Sequence, residues 1–181
     1  RGIKESYFAE LAIQYRRIKS EISWPSGGGV VSIDSMHRDV LGNSNKIIHL
    51  HKSDKVKQAL NSTLDTDLIT NNYFTHEFGL TYVDDFLTTD ALNSLRDYLL
   101  EGTIWFDQKK GGYLGAYLSE GLASPLILQI ANEIKERFPS LIKDHSLSHI
   151  WAYKYDSRSR IPGSDISGIQ IHADFAAVNV N

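Results

Sequence analysis

From Gly168 to Phe175 apolar and polar residues alternate without a break. Ile169, Ile171, Ala173 and Phe175 fall at one parity, and Gln170, His172 and Asp174 at the other. A period of two is the repeat of a pleated strand, whose successive side chains point to opposite faces. The run therefore predicts a half-buried strand and puts His172 and Asp174 on one side of it. Residues 176–181 alternate again, predicting a second strand with Asn179 and Asn181 on one face and Val178 and Val180 on the other.

The front of the chain has a different texture. Tyr7, Phe8, Leu11, Ala12, Tyr15, Ile18 and Ile22 recur every three or four residues, the spacing of an amphipathic helix over 7–22. Pro25 and the glycines Gly27, Gly28 and Gly29 end it; without a following Gly-Lys-Ser/Thr they do not read as a phosphate loop. Residues 30–72 show no sustained period and predict no firm architecture. From His76 onward, 80–83 predicts a strand, and Thr88 or Thr89 caps a helix reaching about Glu101. A strand over 103–106 and a helix over 124–137 follow, the helix with Pro125 in its first turn and Pro139 just past its end. Residues 147–155 precede a polar loop, 156–167. Helices first and antiparallel strands afterwards predict an α+β chain, divided into an N-terminal helical and irregular segment, 1–75, and a second unit, 76–181.

Composition narrows the chemistry. There is no cysteine, so disulfides, thiolate zinc and thiol nucleophiles are out, and any metal must be held by His, Asp or Glu. A net charge of −3 provides no basic footprint for nucleic acid or an anionic membrane. No apolar run approaches the roughly 20 residues a bilayer span needs, and no signal-peptide core follows Arg1. The expectation is a soluble, cytoplasmic protein. Because residue 1 is not Met and the chain stops inside a predicted strand, it also reads as a piece of a longer protein.

An imidazole and a carboxylate two residues apart on one strand supply two legs of the two-histidine, one-carboxylate triad that leaves open positions on non-haem Fe(II). The bare pair is common by chance: His37-Arg38-Asp39 is a second one, expected to be a solvated surface pair in a loop. His49 and His51 share a parity in 47–51. They suit a different histidine-based metal protein, or an edge strand with exposed histidines.

The surroundings of His172 carry more information. Trp151-Ala152-Tyr153-Lys154-Tyr155, a polar loop, the His172-Ala173-Asp174 strand and the alternating residues 176–181 together resemble the Fe(II)- and 2-oxoglutarate-dependent oxygenases, in particular their prolyl-hydroxylase-like branch. Val83-Asp84-Asp85-Phe86-Leu87 before a helix is similar to the opening of such domains. The resemblance covers about 76–181. It implies N-terminal helices followed by the first half of a double-stranded β-helix, a jelly-roll core. It also implies that His172 and Asp174 ligate Fe(II), that Tyr155 or its neighbour Tyr153 contacts 2-oxoglutarate, and that Asn179 and Asn181 bond this co-substrate if their face is inward. The activity implied is hydroxylation of an unidentified substrate, a small molecule or a protein side chain.

The loop 156–167, with Arg158, Arg160 and Pro162, is longer than the family's usual connection. The family's distal histidine and the basic partner of the keto acid's far carboxylate lie well downstream, whereas only seven residues follow Asp174 here, none of them His, Arg or Lys. Within the chain, His149 shares the parity of Trp151, Tyr153 and Tyr155. The rival reading from another class is a non-catalytic binding module in which the helix over 7–22 docks on a partner.

Overall fold

The computed structural model describes residues 4–26, 31–42, 44–109, 113–155 and 174–181. Helix α1 (Glu5–Glu21) forms where the periodicity predicts it and buries Ile18. It packs against a short helix absent from the sequence reading, α2 (Ser35–Leu41), whose N-terminus is capped by Asp34 accepting from the N–H groups of Met36 and His37. This helix corrects the expectation for His37 and Asp39. On a helix, side chains two apart diverge, so Asp39 is exposed while His37 turns inward with 8% of its surface accessible. Its Nε2 lies 2.7 Å from Glu21 Oε2 and its Nδ1 lies 3.2 Å from Asp34 Oδ1.

A third helix, α3 (Thr66–Thr75), also begins at an aspartate cap, Asp65. The predicted helix starts hold for α4 (Thr89–Glu101) and α5 (Pro125–Arg137). Thr88 accepts from Ala91 N–H, Ser124 from Ile127 N–H, and Pro125 occupies the first turn of α5. A single turn, α6 (Pro139–Ile142), follows at Pro139.

Three antiparallel strands complete the architecture: β1 (Asp107–Gln108), β2 (Tyr113–Tyr117) and β3 (Trp151–Tyr155), in the order β1-β2-β3. Tyr113 pairs with Tyr155, Gly115 with Tyr153 and Tyr117 with Trp151, while Asp107 faces Gly115 from the other side. The class is α+β, with helices and one small antiparallel sheet among the described residues.

Two apolar clusters hold these pieces together, and Leu95 of α4 touches both. The first joins Ala59 and Leu60 to Ala91, Leu126 and Phe138. Its irregular segment is tied to α5 by side chains that replace a strand partner. Glu133 accepts from the N–H groups of Ala59 and Leu60, and Gln129 both accepts from Val56 N–H and donates to its carbonyl. The second cluster gathers Tyr98, Ile104, Ala116, Leu122 and Ile127 beneath the sheet, with Ala152 against it.

Several predicted strands are not found. Residues 80–83 form no ladder; Leu80 and Tyr82 are 61% and 90% exposed. In 103–106 Ile104 is fully buried, but the segment is held through Thr103, whose N–H donates to the His49 carbonyl and whose Oγ1 accepts from the Ile48 and His49 N–H groups. Backbone groups satisfied in this way need no neighbouring strand. His49 and His51 likewise lie outside any strand, their rings 6.4 Å apart edge to face. Residues 174–181 bend instead of running straight, and Asp174's carbonyl accepts from Ala176 N–H, a local bond that an extended strand cannot make. No described helix is long and apolar enough to cross a membrane.

Candidate functional site: the tyrosine face of the sheet

Strand pleat divides the sheet into two faces. Ala116 and Ala152 point to the helices and join the second cluster. Tyr113, Gly115 and Tyr117 of β2, with Trp151, Tyr153 and Tyr155 of β3 and Asp107 of β1, point to the other. The outward face is therefore almost wholly aromatic, and Tyr153 and Tyr155 are each 38% exposed.

The rings interlock. Tyr113 stacks on Tyr155 at 4.7 Å and meets Tyr153 edge-on at 5.2 Å, and Tyr153 meets Tyr117 edge-on at 6.4 Å. Gly115 makes this possible. A Cβ there would come within 2.9 Å of the Tyr117 hydroxyl and 3.1 Å of its ring, so glycine leaves the floor on which Tyr117 lies.

One ion pair sits among the rings. Lys109 Nζ lies 2.6 Å from Asp107 Oδ2 and 4.8 Å from the centre of the Tyr117 ring, with both charged side chains about one-third exposed (33% and 32%). Hydrogen bonds to Asp107 and then to Tyr117 raise the Lys109 pKa, so its ammonium stays charged. Burial, followed by a hydrogen bond to Tyr117, pushes the Tyr153 phenol up to about 12. Burial and the neighbouring Tyr113 raise Tyr155 as well.

Of the residues expected at the site, Tyr153 and Tyr155 lie together on this face. Asp174 is described and half-buried, whereas His172 lies outside the described residues. Asn179 and Asn181 are exposed and not on a strand, so the expected shared strand face for them is corrected; Val178 is the more sheltered neighbour. His149 precedes β3, its Nδ1 2.6 Å from Ser148 Oγ. Among the described residues no three His, Cys, Asp or Glu side chains gather as a metal site. The chemistry of one imidazole and one carboxylate, both hard-to-borderline donors, suits Fe(II) as two ligands of a set.

Asp107, Lys109, Tyr113 and Tyr117 were missed by sequence reasoning. The stretch around Tyr113 is glycine-rich and drew no strand prediction, although the parity of Tyr113, Gly115 and Tyr117 carried the signal of a strand. Comparison with family models, with curated proteins and with solved structures found no match for this chain.

Proposed function

We propose that the chain contributes to an Fe(II)- and 2-oxoglutarate-dependent dioxygenase that hydroxylates a substrate still to be identified, with His172 and Asp174 as two metal ligands. The observation that carries this reading is the placement of Tyr153 and Tyr155. The strand that ends at Tyr155, ahead of His172 and Asp174 in the sequence, turns its tyrosines away from the helical core, on the side of a sheet where a jelly-roll interior would lie. A sheet backed by helices on one face and carrying polar aromatic side chains on the other is the arrangement expected of the first half of a double-stranded β-helix.

Iron with the keto acid supplies the oxidising chemistry when bound. The chain's own groups do the placing. Tyr153, held protonated, donates at neutral pH, and the stacked Tyr113–Tyr155 pair provides an apolar wall that limits water. In the protein that carries this chain, His172→Ala and Asp174→Ala should each abolish Fe(II)-dependent conversion of 2-oxoglutarate to succinate, because both ligands are needed to hold a labile ion. Unchanged succinate formation in either variant would sink the assignment.

A further inference from the structure

We propose that Lys109, Tyr117 and Tyr153 form a carboxylate-binding subsite on the tyrosine face, with Asp107 as the resident counter-ion that a ligand carboxylate displaces or shares. The inference deepens the proposed reading, since it takes the tyrosine face as the ligand side, but it needs no metal.

The geometry supplies three donors and one acceptor. Lys109 carries three N–H donors; Asp107 at 2.6 Å takes one. Tyr117 lies over Gly115 with the Lys109 ammonium 4.8 Å from the centre of its ring and the Tyr153 ring edge-on at 6.4 Å, so the three side chains share one patch of the face. The Tyr117 and Tyr153 hydroxyls are protonated at neutral pH, and each carries one O–H that a ligand oxygen can accept from. The ammonium, a third accessible, adds a charged donor beside the two hydroxyls. Planar carboxylates take two such donors at once, and a charged donor strengthens the bond.

A cationic ligand would find the Asp107 and Tyr117 positions already filled by the protein's own ammonium. An anion finds that ammonium waiting. The carboxylate has two sources, the keto acid or an acidic substrate, and the face presents the same chemistry to both.

The test is titration of the 181-residue chain in metal-free buffer with glutarate and, separately, with N-acetyl-aspartate amide, followed by calorimetry and by the tyrosine ring signals in NMR. Lys109→Gln should weaken binding of the preferred probe about ten-fold and Tyr117→Phe about five-fold, the usual range for losing one charged and one neutral hydrogen bond. Asp107→Asn should strengthen it, because the competing carboxylate charge is gone. Preference for glutarate assigns the subsite to the keto acid, and preference for the aspartate probe assigns it to the substrate; either supports it.

Lys109→Arg, with the charge kept, should retain binding and shows that loss in Lys109→Gln is not misfolding, as does an unchanged thermal melt. Unchanged affinity in Lys109→Gln, weaker binding in Asp107→Asn, or no binding of either probe by the wild-type chain overturns the proposal. His172→Ala should bind both probes as wild type does. Loss of Fe(II)-dependent turnover with retained carboxylate binding therefore separates failure at the metal from failure of this subsite.

Discussion

On the inner face of the sheet Ala116 and Ala152 meet Tyr98, Ile104 and Ile127, and Ile104 has no accessible surface at all. On the outer face Tyr153 and Tyr155 each keep 38% of theirs in water. The same strands make both faces. Where the helices press close the paired residues are the alanines Ala116 and Ala152, with Leu114 and Lys154 further along the same face, and the strands' aromatic side chains are all on the other side. In an ordinary two-layer domain the bulky apolar side chains belong inside and small or charged ones outside. The inversion implies that the outer aromatics are kept for contact with something other than the helical core.

The comparison is broken most easily from within. Ile104→Ala empties a fully buried position under Ala116 and should cost about 2–5 kcal/mol, read as a fall in the urea midpoint at unchanged slope. A cost below about 1 kcal/mol, within the range of surface changes, would mean that the inner face is not tightly packed. Next in size is Ala116→Leu, which forces a larger side chain between β2 and the second cluster. Overpacking of that kind costs about 1–3 kcal/mol. A neutral result would show unfilled space beneath the sheet and weaken the contrast.

What could be read from the sequence follows the same division. The helices α1, α4 and α5 announce themselves by period and by Thr88, Ser124 and Pro125 at their starts. The short helices α2 and α3 escape because seven and ten residues, rich in polar types, give too little repeat. Their only local signals are the capping aspartates Asp34 and Asp65. Strand prediction erred at 103–106 because a buried apolar run looks alike whether it pairs with a strand or is tied down by one threonine, Thr103. Of the candidate site, Tyr153 and Tyr155 were reached through the resemblance, with parity giving only their shared face, while Asp107, Lys109 and Tyr117 depend on a register between strands that no local pattern encodes.

On the outer face the expected stability effects are smaller and depend on pH. Tyr153→Phe should leave the neutral-pH urea midpoint nearly unchanged, because the ring remains and only a partly exposed hydroxyl is lost. At alkaline pH the two proteins should diverge. The folded pKa of Tyr153 is raised to about 12 from an ordinary value of 10, so its contribution is fully present below pH 10 and is lost as pH rises through 12. Wild type should therefore lose stability more steeply across that window than Tyr153→Phe. Parallel curves would show that Tyr153 ionises as freely as an exposed phenol and that the outer face does not hold it.

The smallest stability effect, and the sharpest test of what the outer face is for, is Gly115→Ala. The new methyl group would stand 2.9 Å from the Tyr117 hydroxyl and 3.1 Å from its ring, so something must move. What moves is the far end of a flexible side chain with water beyond it, and alanine also recovers part of the entropy that glycine loses in a strand. The net change should lie within about 1 kcal/mol. Tyr117, however, would be lifted off its floor and away from Lys109 and Tyr153, so its ring signals should shift and carboxylate binding should fall as it does in Tyr117→Phe. A stable variant with weakened binding is what a face built for a ligand predicts. A loss of more than about 2 kcal/mol with binding unchanged would mean that Gly115 serves packing, as Ala116 does one residue along, and that the two faces do not differ in kind.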